Sequence, residues 1–76
     1  MESEKLLKEF GLHLRAIRKD KNLSQEKLAH LSDLDRTYIS GIERGVRNIS
    51  LINIFRLAKA LEIAPAELFQ FGENDV

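Results

Sequence analysis

The sequence predicts an all-α domain of five helices, and three observations predict it. Apolar residues recur three and four apart along most of the 76 residues. Ser24, Asp35 and Ser50 each stand just before such a run, where a side-chain oxygen can accept from the unpaired amides of a first helical turn. No segment shows the strict apolar-polar alternation of a half-buried strand.

Helix 1 is expected from Ser3 or Glu4 to about Asp20, with Leu7, Phe10, Leu14 and Ile17 as one stripe and Lys19-Asp20-Lys21-Asn22 as a polar end. Ser24 caps helix 2 and puts Gln25 in its first turn, where a side chain and backbone amides can meet one phosphate. The chain must reverse at Ser32-Asp33-Leu34, and Asp enters the left-handed region at low cost. Asp35 then caps helix 3, Arg36 to Arg44, and Gly45 ends it as a residue free to take positive φ. Ser50 caps helix 4, whose stripe is Leu51, Ile54, Leu57, Ala58 and Leu61. Pro65 suits the first position of helix 5, ahead of Ala66, Glu67, Leu68 and Phe69.

Helices 2 and 3, from Gln25 to Arg44, are two short amphipathic segments around a tight polar turn, the layout of a helix-turn-helix. Leu28, Ala29, Leu34, Ile39 and Ile42 form its inner side, and small Ala29 lets the two helices cross closely. With Ile39 and Ile42 inside, the outward stripe is Thr37, Ser40, Gly41 and Arg44, flanked by Arg36 and Tyr38. No core needs these residues. Arg is suited to bidentate bonds with guanine, and Thr and Tyr offer a hydroxyl to a base or phosphate and apolar surface to a thymine methyl. A Gly inside a helix costs about 1 kcal/mol relative to Ala, so Gly41 is expected where backbone closely approaches a ligand. Tyr38 either touches DNA or lies half-buried against helix 2; Arg44 either touches phosphate or only favours the helix C-terminus.

Seventy-six residues make a single domain, residues 1–76, and the 43% hydrophobic content is that of a globular chain. Cysteine is absent, which removes disulfides and thiolate metal sites and is compatible with a cytoplasmic setting. MESEKLLKEF lacks the apolar run of a signal peptide, and no stretch is long enough to span a bilayer, so no membrane partner is expected. Net charge is zero but unevenly spread: residues 11–48 hold eight Lys/Arg against five Asp/Glu, residues 49–76 two against four. The basic surplus therefore lies with the helix-turn-helix, and the acidic end, GENDV, is expected to turn away from phosphate.

An enzyme reading finds no support. His13 and His30 are the only histidines, no Asp/Glu pair stands at metal-ligand spacing with them, and the four glycines form no phosphate loop. No cofactor, metal or small-molecule substrate is expected. A protein-interaction module would need an apolar groove where helix 3 instead carries polar residues and Arg. Ile52, Phe55, Ile63, Phe69 and Phe71 exceed what one small core needs. They either cap the lower end of the core or form a two-fold interface of helices 4 and 5, which would set two recognition helices about one DNA turn apart.

From Phe10 to Phe71 the chain resembles the phage-repressor-like helix-turn-helix family, the lambda-repressor-like fold. The shared framework is Ser24-Gln25, Leu28-Ala29, Ile39, Glu43 and Gly45. The narrower run LDRTYISGIERG with Arg47-Asn48 following is similar to controller proteins of bacterial restriction-modification systems. That resemblance implies a homodimeric transcription regulator that binds palindromic double-stranded operators and regulates its own and the endonuclease gene, with RNA polymerase as a further partner. A phage-type repressor of the same fold is the alternative. The resemblance also implies Arg36, Thr37 and Tyr38 as readers of bases or DNA shape, Gln25 and Ser40 as phosphate contacts, and Arg47, Asn48 and Asn53 as backbone anchors. It further implies an ion pair between Arg18 and Glu43 that fixes helix 1 against the reader. Asp33 departs from the broader family, where Gly is common at the turn.

Overall fold

Four α-helices and one 3-10 turn follow each other in the computed structural model, which describes residues 2–72. Helix α1 spans Ser3–Asp20, α2 Gln25–Ser32, α3 Arg36–Glu43 and α4 Leu51–Leu61. The expected fifth helix is instead a 3-10 segment, η1, Pro65–Phe69. Pro65 opens it as anticipated, but the five-residue segment closes with short-range bonds, Glu67 N–H donating to the Ala64 carbonyl at 2.9 Å. A piece this short gains little from the α-helical pattern, and the tighter turn suffices to seat Leu68 wholly in the core.

The caps act where the sequence puts them. The Ser24 hydroxyl accepts from Lys27 N–H at 2.9 Å and Ser50 from Asn53 N–H at 3.2 Å, while Asp35 accepts from Thr37 N–H at 3.0 Å. Asp33 ends α2 in the left-handed region, φ 60° and ψ 35°, so the chain reverses in a few residues and α3 crosses α2. Gly45 takes φ 79° after α3.

The core joins all five elements. Phe10 and Leu14 of α1, Leu28 and Ala29 of α2, Ile39 and Ile42 of α3, and Ile54, Leu57, Ala58 and Leu61 of α4 close around Leu68. The seven large aliphatic side chains that are fully buried each contribute about 1.5–3 kcal/mol of apolar transfer. Helix α1 comes so close to α3 that a Cβ on Gly11 would run into the Ile42 and Glu43 carbonyls.

Several residues of the predicted apolar sets sit differently. Leu34 and Ile17 are only partly buried against the core, and Leu51 is 69% exposed. Helical spacing puts Leu51 one turn from Ile54 but carries no information about where the core ends, and it ends at Ile54. Among the described residues no helix is long and apolar enough to cross a membrane. Glu73–Val76, the acidic end expected to face away from phosphate, lies outside the described residues.

Candidate nucleic-acid interface

Helix α3 buries Ile39 and Ile42; the 100° step of a helix puts Thr37 across from them, and Arg36, on the flank at the first position of the helix, is exposed as well. Arg36 is exposed and forms no hydrogen bond or ion pair among the described residues, so its guanidinium is free to meet an incoming acceptor. Thr37 is exposed as well, and its hydroxyl bonds the Asp35 carboxylate. That bond, then the one from Thr37 N–H, holds the Asp35 carboxyl below its ordinary value of 3.8. The Thr37 methyl and the remaining lone pairs of its oxygen are what it presents outward.

Tyr38 is half-buried and packs on the core edge. Its hydroxyl donates to the Asn48 carbonyl at 3.4 Å and accepts from Asn53 Nδ2 at 3.1 Å. Asn53 therefore serves Tyr38 directly. Asn48 accepts Ile49 N–H on its Oδ1 at 2.9 Å, an arrangement that leaves its amide donors for other partners. The Arg47 guanidinium carbon stands 5.1 Å from the centre of the Tyr38 ring, within cation-π range. Arg44 is exposed, its Nε 3.5 Å from the Ser40 hydroxyl one turn earlier.

Gly41 corrects the expected outward stripe. It is buried, and the three atoms nearest a Cβ built there all belong to the Arg47 side chain. Its place on the flank of α3 is covered by the loop that follows, which the helical wheel cannot register. The close approach expected at Gly41 exists, but with this chain's own arginine.

Behind the outward face sits a buried polar knot. Arg18 Nε donates to Glu43 Oε2 at 2.6 Å and its Nη2 to Glu43 Oε1 at 3.0 Å, while Nη1 donates to the Leu23 carbonyl at 2.7 Å. Gln25 Nε2 also donates to Glu43 Oε1, at 3.0 Å. Gln25 thus stands in the first turn of α2 with its carbonyl oxygen and second amide proton unspent, tied through Glu43 to α3 and through Arg18 to α1.

The five residues expected at a dimer interface divide. Ile52, Phe55 and Phe69 are 68%, 54% and 52% exposed. Ile63 and Phe71 are partly buried against the core, Phe71 with its ring 6.0 Å from Phe10 and 5.5 Å from His13. His13 Nε2 lies 2.7 Å from the Glu67 carbonyl, a bridge from α1 to η1 that makes it a structural residue. Sequence spacing missed Leu51, which extends the exposed apolar surface of α4, and the partnership of Asn53 with Tyr38, for which no local signal exists.

Residues 14–68 match the Helix-turn-helix family. The chain is 57% identical to the control protein C.BamHI of Bacillus amyloliquefaciens, over 82% of this chain and 78% of that one. Among solved structures it is similar to the restriction-modification controller protein C.AhdI of Aeromonas hydrophila, with 60% identity, a TM-score of 0.81 and coverage of 86% and 97% of the two chains. It is also similar to the controller protein C.Esp1396I, solved as a tetramer on its natural 35 base-pair operator, at 42% identity and a TM-score of 0.78 over 86% of each chain. The chain belongs to the helix-turn-helix family, among the controller proteins of restriction-modification systems.

Proposed function

We propose that this chain is a homodimeric controller that binds palindromic operator DNA through α3 and regulates its own gene and that of the associated endonuclease. The observation that carries the reading is the polar surface of α3, where Thr37 lies across the helix from Ile39 and Ile42 and Arg36, on its flank at the first helical position, is exposed and has no partner among the described residues. Arg36 and Thr37 read base edges in the major groove, and Tyr38 contributes its ring to the same surface. Gln25, Ser40, Arg44, Arg47 and Asn48 meet phosphates on either side. Asn53 acts through Tyr38. The operator-bound relative supports DNA as the partner.

Exposed Ile52, Phe55 and Phe69, with Leu51 beside them, form the contact between two copies, so that two α3 helices meet two half-sites. RNA polymerase is the partner that activation at such an operator requires, and the cytoplasm is where both are found.

The test is selection of duplexes from a random library on the chain, followed by titration of the selected and a scrambled duplex. Arg36→Ala is expected to lose about 1–3 kcal/mol on the selected duplex and much less on the scrambled one. Equal losses on both would remove the base-reading role. Affinity should also fall with salt, with a log-log slope of about −0.9 per phosphate neutralised.

A further inference from the structure

Gly41 and Arg47 form a slot and its occupant. A helix interior disfavours Gly relative to Ala, yet Gly41 lies in the middle of α3 with nothing in its backbone that demands Gly. The space where a methyl would go is filled by the Arg47 stem: a Cβ at residue 41 would overlap Arg47 Cγ, with Cβ at 3.4 Å and Cδ at 3.5 Å. From that slot the stem carries its guanidinium over the Tyr38 ring at 5.1 Å. The ring is itself fixed, since its hydroxyl is held by Asn53 at 3.1 Å and by the Asn48 carbonyl at 3.4 Å. An arginine side chain is otherwise among the most costly to immobilise.

We propose that Gly41 is a positioning residue for DNA binding: the absence of its side chain opens the channel that lays Arg47 on Tyr38, so the guanidinium is in place before DNA arrives. Tyr38 and Asn53 form the other wall of that device. The inference rests on the operator-binding reading and deepens it, because the ordering cost of Arg47 is met in folding and is absent from binding.

Four proteins test it: wild type, Gly41→Ala, Arg47→Ala and the double variant, each titrated with the duplex that wild type selects from a random library. Gly41→Ala should keep or raise the melting temperature, because Ala favours the helix, while its affinity falls about tenfold or more, as for loss of one charged DNA contact. In the Arg47→Ala background the stem is gone and the added methyl meets no obstacle, so the double variant should bind as Arg47→Ala does. A Gly41→Ala penalty that persists in that background overturns the proposal, since the methyl would then be meeting DNA itself. So does wild-type affinity in Gly41→Ala. A second readout needs no DNA: the Arg47 side-chain protons, shifted by the Tyr38 ring current in wild type, should move to unstacked values in Gly41→Ala, and unchanged shifts also overturn it. Failure of wild type to select any duplex would defeat the operator reading, and the proton shifts would then decide the placement of Arg47 alone.

Discussion

Arg18 of α1 and Glu43 at the end of α3 meet at 2.6 Å with side chains only 8% and 3% exposed. The pair is stapled further by a second Arg18 bond to the other carboxylate oxygen and by Gln25. Its role is geometric: α1, α2 and α3 share one polar node, which ties α3 to the other two. Isolated buried charges are costly, so removing one partner is far worse than never having had the pair.

Arg18→Ala is accordingly expected to lower the free energy of unfolding by about 3–5 kcal/mol, a large part of what a domain of this size has. Urea denaturation measures it. Replacing both partners at once, Arg18→Met with Glu43→Leu, should recover most of the loss, and a double variant as unstable as Arg18→Ala would show that the pair stabilises beyond its own desolvation.

Asp35 gives α3 a pH-dependent cap. Hydrogen bonds from Thr37, the side chain first and the backbone next, hold its carboxyl below 3.8. A carboxyl lowered in the folded state stabilises fully above its unfolded value, and that contribution fades as pH falls through the lowered one. Wild type should therefore melt above Asp35→Ala at pH 7, with the gap narrowing once pH drops below 3.8. Thermal unfolding followed by circular dichroism tests this; a gap of constant size at both pH values would mean that the ionised carboxylate is not what caps the helix.

The proposed interface separates folding from association. Ile52 and Phe55 are more than half exposed, so Ile52→Glu and Phe55→Glu should change monomer stability by no more than about 0.5 kcal/mol. The dimer dissociation constant should rise by about tenfold or more for a central apolar contact. Sedimentation equilibrium reads it directly, and an unaltered constant in both variants would move the interface elsewhere.

Glu62 follows α4 at φ 58° and ψ 45°, the left-handed region that costs a side-chain-bearing residue about 1–2 kcal/mol. Glu lacks the short polar side chain that eases Asn22 and Asp33 in the same region. Glu62→Gly should stabilise the domain by about 1 kcal/mol and raise its melting temperature by about 4–8 °C. A lower melting temperature would show that the unfolded chain gains more freedom from Gly than the fold gains in relief.

What the sequence made legible was local. Caps at Ser24, Asp35 and Ser50 depend on a residue and the next three amides, and the turn at Asp33 on one residue's tolerance of positive φ. Stripes such as Ile54, Leu57, Ala58 and Leu61 follow from helical period. The rest depends on what another segment does. Gly41 is covered because the loop after α3 folds back; Leu51 is bare because the core stops short of it; Tyr38 is tethered because Asn53, a turn into the next helix, reaches it. Nor did Pro65 at the head of PAELF distinguish the short 3-10 segment from an α-helix. Spacing on α3 separated core from surface but not exposed surface from surface already occupied by Arg47.

Tyr38 is the only tyrosine, and the chain has no tryptophan. The dominant near-ultraviolet chromophore of this protein is therefore the same ring that carries Arg47 and is gripped by Asn53. Tyrosine emission is in effect a spectroscopic reporter built into the proposed recognition surface, and nothing needs to be attached to watch that surface engage. Its intensity and anisotropy would follow a single place on the molecule through any titration, which a chain with several such fluorophores does not allow.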